Sequence, residues 1–157
     1  MKLIFLDIDG VLNSHDFFYK RHETTGKMQG GCRRESIDPD ALRRLERIIN
    51  ETGAKIVISS SWRIGRETVE IKELLRIAGF KHWQEIIDRT PSTSSLTERR
   101  GEEIRMWLDK NPENIGNFII LDDDSDMDKL MDRLVHTDWE HGLTDVETEN
   151  AIARLNE

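Results

Sequence analysis

The sequence predicts an α/β fold in which a mostly parallel central sheet lies between layers of helix. Two observations predict it. Apolar runs of strand length alternate with segments of helical periodicity, the pattern of βαβ units. Three of those runs also end in polar clusters: Asp7 with Asp9, then Ser59, Ser60 and Ser61, then residues 122–126. Ligands bind at the carboxyl ends of parallel strands, so these clusters are expected to converge on one edge.

The first run, MKLIFLDIDGVLN, reads as a buried strand over Lys2–Leu6, rich in large apolar residues and closed by a glycine turn signal. If that strand persists to Asp9, the carboxylates of Asp7 and Asp9 share a face, roughly 6 to 7 Å apart along the chain. Two such charges repel unless a cation lies between them or one takes a proton. Residues 13–37 are polar, contain Gly26, Gly30 and Gly31, and are too long for an ordinary connection. They read as a flap or minimal cap. Asp38 and Pro39 are an N-cap and a first helical residue; Leu42, Leu45, Ile48 and Ile49 supply the apolar face, and Gly53 ends the helix.

The run AKIVISSSW is a second buried strand over residues 55–58, stopping in three serines. Ile71, Leu74, Leu75 and Ala78 mark a helix closed by Gly79, and the patch at Ile86 and Ile87 is a strand or a helix end. SLTERRGEEIRMWLDKN reads as a helix with Ile104, Trp107 and Leu108 inward, and NFIIL as a third strand over residues 117–121 running into DDDSD. Met127, Leu130, Met131 and Leu134 are expected on one helical face, residues 134–137 as an edge strand, and Thr144 with Glu147 as the capping box of a final helix.

At 157 residues a single domain over residues 1–157 is expected, with a real core. The hydrophobic fraction of 36% and charged fraction of 34% are those of a globular protein. No apolar stretch is long enough to span a membrane, and Asp7 and Asp9 interrupt the N-terminal one, so neither a membrane partner nor a secretory leader is expected. A single cysteine, Cys32, can make no internal disulfide. We expect a cytoplasmic location, in the host cytoplasm if the protein is viral. A net charge of −8 argues against wholesale wrapping of nucleic acid. Residues 20–35 are the exception, with five Lys or Arg against two Glu. Alone, that run reads as a solvated loop.

Asp7, Asp9, Asp122 and Asp123 meeting at one edge would need a cation. Oxygen-only ligands favour a hard ion, and Mg²⁺ suits two or three carboxylates plus a phosphate. A carboxylate so placed can attack phosphorus, and a second can protonate the leaving oxygen and then activate water. Hydroxyls and N–H groups of a serine turn, with one cationic side chain, would hold the phosphoryl oxygens. Each motif has a plain structural reading when taken singly, as a turn, an N-cap, a helix start or a solvated arginine. Their order at successive strand ends is the signal.

The order DIDGV, a strand ending in serine, a basic residue ahead of a helix and a strand ending in DD resembles the haloacid dehalogenase (HAD) superfamily of phosphohydrolases. Within it, IDPDALRRLERIINETGAKIVISSSWR, RGEEIRMWL and ILDDDSDM resemble the HAD domain of multidomain RNA repair proteins. The resemblance covers nearly the whole chain. It implies a Rossmann-like three-layer sandwich. It makes Asp7 the nucleophile and Asp9 the acid and base, the backbone carbonyl of Asp9 also lying on Mg²⁺. Ser60 would fill the second motif, or Ser59 under a one-residue slip, with Ser61 offering its N–H. Arg100 is preferred to Arg99 for the third motif, and Asp122 and Asp123 match the acidic fourth, with Asp126 behind them. Gly10 and Arg63 are further phosphate-contact candidates. Val11 stands where the first motif usually has Thr, and neither residues 13–37 nor 63–96 are long enough for a full cap domain.

An open site of that kind admits a large substrate, a polynucleotide end or a phosphoprotein, or else requires a partner to close it. A polynucleotide end, in particular a 3'-phosphate, or a nucleotide is expected, with Phe17, Phe18, Tyr19 and the basic run available to stack a base and hold phosphates. Two rivals share the acidic cluster. One is a metal-dependent nuclease without a covalent step, and the other is a receiver-like phosphoacceptor domain. Oligomeric state is not encoded in any motif.

Overall fold

The computed structural model describes residues 1–27, 31–92, 99–113 and 115–157. Ten elements follow in order: β1 (Lys2–Leu6), α1 (His15–Thr25), α2 (Pro39–Thr52), β2 (Lys55–Ile58), α3 (Thr68–Ile77), β3 (Ile86–Arg89), α4 (Arg100–Lys110), β4 (Asn117–Asp122), β5 (Leu134–His136) and α5 (Asp145–Leu155). The strands form one sheet in the order β3-β2-β1-β4-β5, and every pairing is parallel. The chain steps from β1 to β2 on one side and later returns to place β4 on the other. That reversal opens a crevice at the carboxyl end of β1.

Both faces of the sheet are covered, as a parallel sheet requires. Strand residues alternate between two clusters with the period of two that a pleated chain imposes. Ile4, Leu6, Ile56, Ile58, Ile119 and Leu121 pack with α2, α3 and α5, whereas Leu3, Phe5, Val57 and Ile120 pack with Ile104 and Trp107 of α4. The result is the three-layer α/β sandwich that the residue pattern predicts. Asp38 caps α2 by accepting from the Asp40 N–H at 2.9 Å, and Gly53 ends that helix in the left-handed conformation (φ +69°). Thr144 and Glu147 form the capping box of α5. Ile86 and Ile87 belong to a strand.

Three segments carry detail that the apolar pattern does not show. Residues 13–37 contain an 11-residue helix, α1, and a short 3-10 turn over Arg34–Ser36. The apolar pattern conceals α1 because Phe18 is its one buried residue. Its ends carry the signal: the Ser14 hydroxyl accepts from the Phe17 N–H at 3.1 Å, and Gly26 closes it with φ +66°. The first helical amides, His15 and Asp16, donate to the carbonyls of Trp139 and Glu140 (2.8 and 3.1 Å). Second, Asp128–Arg133 is a 3-10 helix, and Leu134 starts β5. Three residues per turn align Met127 with Leu130 and rotate Met131 outward, so no four-residue α-helical face exists there. Third, β1 ends at Leu6 and does not carry Asp9 in register. The Ile8 carbonyl instead accepts from the Val11 and Leu12 amides (3.2 and 2.8 Å), turning Asp9 out of the strand. The first residues of SLTERRGEEIRMWLDKN, 95–98, and Gly30 lie outside the described residues. No helix among the described residues is long and apolar enough to cross a membrane.

Candidate active site

At the carboxyl edge, the Asp7 N–H donates to the Leu121 carbonyl and the Ser59 N–H to the Leu6 carbonyl, both at 2.9 Å. These bonds extend the ladder one step past the strand ends and bring three chain segments together. Asp7 is 5% exposed and Asp122 fully buried, and carboxylate oxygens of Asp7, Asp122 and Asp123 lie within 4.8 Å of one another. Arg100, at the first turn of α4, aims its guanidinium at them, with Nη1 3.7 Å from Asp7 Oδ1 and Nε 3.6 Å from Asp122 Oδ2. Arg99 turns outward to Asp128 (2.9 Å).

Two contacts hold α4 in place. The Asp126 carboxylate accepts the Arg100 N–H at 3.0 Å, and the Asp126 carbonyl accepts the Gly101 N–H at 3.2 Å. A Cβ on Gly101 would stand 2.3 Å from the Met127 carbonyl oxygen, so glycine permits the close approach of helix and loop. Asp126 therefore serves to cap and seat the helix that carries Arg100.

Asp9 does not join the carboxylate group. Its Oδ1 accepts from Asn13 Nδ2 at 2.8 Å and its Oδ2 from Trp62 Nε1 at 2.9 Å. The hydroxyl of Ser60 accepts from the Trp62 N–H at 3.3 Å and favours the charged form of Asp7, and that of Ser59 is buried without a hydrogen-bond partner among the described residues. Ser61 is exposed at the start of the 3-10 turn over Ser61–Arg63, where amides have no intrahelical partner.

Two expected phosphate contacts are corrected. The N–H of Gly10 is taken by Asn13 Oδ1 (3.0 Å) and its carbonyl by the Thr137 hydroxyl (2.7 Å). Gly10 instead supplies a turn at φ +74°, and its bare Cα leaves room for Asp123, whose Cγ would lie 2.2 Å from a Cβ there. Arg63 is 3% exposed, and its guanidinium is wholly engaged by Thr90, Ser59, Ser60, Pro91 and Glu103. It has no donor left for a ligand.

Several residues of the site carry no motif of their own. Asn13 fixes the Asp9 turn, Trp62 braces Asp9 from the serine turn, Thr137 holds Gly10, and His136 Nε2 contacts the Asp123 carbonyl at 2.7 Å. Trp62 and Asn13 were findable only through their closeness in sequence to the serines and to Asp9. The other histidines are peripheral: His15 pairs with Glu140 (3.3 Å) and His141 with Asp16 (2.9 Å), fastening the start of α1 to the loop after β5.

The electrostatics fit a hard divalent cation. Burial, then the charge of Asp7, pushes the Asp122 carboxyl up to about 8, and the same two causes push Asp123 to about 6. Burial also raises Asp7, against the opposing pull of Arg100 and the Ser60 hydroxyl. Asp122 Oδ2 and Arg100 Nη1 are buried and have no hydrogen-bond partner among the described residues. Orphaned buried atoms around an all-oxygen carboxylate cluster are what a cation and an anionic group would satisfy together. Asp7, Asp122 and Asp123 are the residues that fit Mg²⁺.

A pH dependence follows. Carboxyls raised in the folded state keep protons that the unfolded chain releases near pH 4, so their contribution is full below that pH and is lost as pH rises through about 6 and 8. Without divalent cation, the melting temperature should fall between pH 6 and pH 8. Mg²⁺ replaces those protons, so its stabilisation should be larger at pH 8. Thermal melts in EDTA and in Mg²⁺ at both pH values check this, and an equal Mg²⁺ increment at the two would contradict it.

Residues 3–148 match the family described as the HAD domain in Swiss Army Knife RNA repair proteins. The chain belongs to that family. This HAD domain is accordingly of hydrolase type, and its acidic cluster occupies the edge where the sheet order reverses. No curated protein and no solved structure matches the chain.

Proposed function

We propose that this HAD domain is a Mg²⁺-dependent phosphomonoesterase acting through an aspartyl-phosphate on Asp7, with 3'-phosphate ends of nucleic acid or nucleotides as substrates. The observation that carries the proposal is the carboxylate triad faced by Arg100, whose buried Nη1 has no hydrogen-bond partner among the described residues. Asp7, Asp122 and Asp123, with the Asp9 carbonyl, would hold Mg²⁺, which when bound neutralises the triad and the incoming phosphoryl charge.

An Asp7 carboxylate oxygen attacks phosphorus, forming the Asp7–phosphorus bond as the ester bond breaks. Asp9 gives its proton to the departing alkoxide. Asp9 then takes a proton from water, whose oxygen attacks the same phosphorus, releasing phosphate and restoring Asp7. Ser60, the Ser61 N–H and Arg100 hold the phosphoryl oxygens, where positioning and charge do most of the work. Trp62 and Asn13 hold Asp9 at the rim in a fixed orientation.

The substrate class draws support from the family description, which places such domains in RNA repair proteins, and from the charge of the chain near the site. α1 begins six residues after Asp9 and brings Lys20 and Arg21, with Tyr19 exposed and Phe18 buried. Tyr19 and the partly exposed Phe17 are therefore the aromatics of this run available for stacking a base. A phosphatase panel with Mg²⁺ or EDTA tests the assignment, comparing mononucleotides, 3'- and 5'-phosphorylated oligonucleotides, sugar phosphates and phosphopeptides. Mg²⁺-dependent release from 3'-phosphorylated ends or nucleotides is the expected result. A strong preference for sugar phosphates would remove the nucleic-acid reading.

A further inference from the structure

We infer that Arg63 is a positioning residue that bolts the serine turn to α4, so that Ser60 and Arg100 address one phosphoryl group beside Asp7. This rests on the phosphomonoesterase reading above. The guanidinium has five N–H groups and all five are engaged. Nε donates to the Thr90 carbonyl at 3.1 Å, and Nη1 to the carbonyls of Ser59 and Ser60 at 2.9 and 2.8 Å. Nη2 donates to the Pro91 carbonyl at 3.1 Å and to the Glu103 carboxylate.

Three parts of the site thus meet on one side chain: the turn after β2, the chain leaving β3, and α4. Ser60 is the residue whose hydroxyl favours the charged form of Asp7, and Glu103 stands three residues after Arg100 on the same helix. Residues three apart share a helix face, so an ion pair at Glu103 constrains the turn that presents Arg100. Beyond the end of β2 the Ser60 carbonyl also accepts from the Arg63 N–H at 3.1 Å, whereas among the described residues the Ser59 carbonyl receives its hydrogen bond from the Arg63 guanidinium. Buried carbonyls need such donors. Without the guanidinium the Ser59 carbonyl would turn toward water and shift the serine turn relative to Asp7 and α4. Lysine cannot replace it, because an ammonium has three N–H groups and no planar fork.

The test is a double-substitution cycle of Arg63→Lys and Arg100→Ala, with kcat and KM measured on para-nitrophenyl phosphate in Mg²⁺. Arg63→Lys alone should lower kcat by about 10²-fold, the effect of misplacing reacting groups by about an ångström, with KM near the wild-type value. In the Arg100→Ala background the same change should cost about tenfold or less, because groups acting as a unit are not additive. Glu103→Gln keeps an acceptor oxygen and all four carbonyl contacts, so it should fold and show the same non-additivity with a smaller loss. It replaces Arg63→Lys if that variant does not fold. An equal loss in both backgrounds, or wild-type kcat in Arg63→Lys, overturns the inference while leaving the phosphatase reading standing. A wild-type protein without Mg²⁺-dependent hydrolysis overturns both.

Discussion

Asp7→Asn is expected to lower phosphatase turnover by on the order of 10⁴-fold or more, since an amide cannot form the acyl phosphate. The same substitution should not unfold the protein. Burial disfavours the Asp7 charge, and that charge is also the second cause of the rise at Asp122 and at Asp123. Removing it relieves repulsion in a cluster whose charge Arg100 offsets only in part. The melting temperature in EDTA should therefore stay level or rise, and Asp122 should titrate lower than about 8. Loss of activity together with a raised or unchanged melt is the expected pair. Full Mg²⁺-dependent activity in Asp7→Asn would remove the nucleophile assignment.

Gly10→Ala should destabilise the fold by about 2 to 5 kcal/mol, from the cost of a left-handed backbone in a non-glycine residue and the cost of overpacking. Both causes are present at once: φ is +74°, and the new Cβ would overlap the Asp123 carboxyl, with Cγ at 2.2 Å. Asp123 is short and its carbonyl is held by His136, so it has little room to move aside. Denaturant unfolding reads the loss, and a change below about 0.5 kcal/mol, the range of neutral surface substitutions, would contradict the geometry.

The sheet and its edge were legible because parallel strands buried on both faces read as plain apolar runs, and because polar clusters interrupt them at a single edge. β1 and β2 have the limits that their apolar runs indicate. α1 was not legible, since its stability rests on Ser14, Gly26 and two amide bonds to a loop more than a hundred residues away. The 3-10 segment was misread as α-helix because Met127, Leu130, Met131 and Leu134 have the i, i+3, i+4, i+7 spacing of an α-helical face, and nothing in that spacing shows that Leu134 pairs with β4.

Within the site, the motif positions name which residues gather, but not what each donor is spent on. Arg63 looks like a phosphate contact from its place after SSSW; only the five acceptors around it show that it holds the turn together. Gly10 is similar, with its amide consumed by Asn13 three residues on. The DxD spacing suggested two carboxylates on one strand face. The turn at Ile8 separates them, placing Asp7 in the buried triad and Asp9 between Asn13 and Trp62.

The central claim, a covalent phosphoryl group on Asp7, is tested most directly by peptide mass spectrometry of an acid-quenched Asp9→Asn variant after incubation with Mg²⁺ and para-nitrophenyl phosphate. That leaving group departs without needing a proton, so attack by Asp7 proceeds while the water step, which needs Asp9, stalls. The account predicts one added phosphoryl group on the peptide carrying Asp7, absent in EDTA and absent when Asp7 is also replaced by Asn. An unmodified peptide from that variant, alongside Mg²⁺-dependent hydrolysis by the wild-type protein, would contradict it.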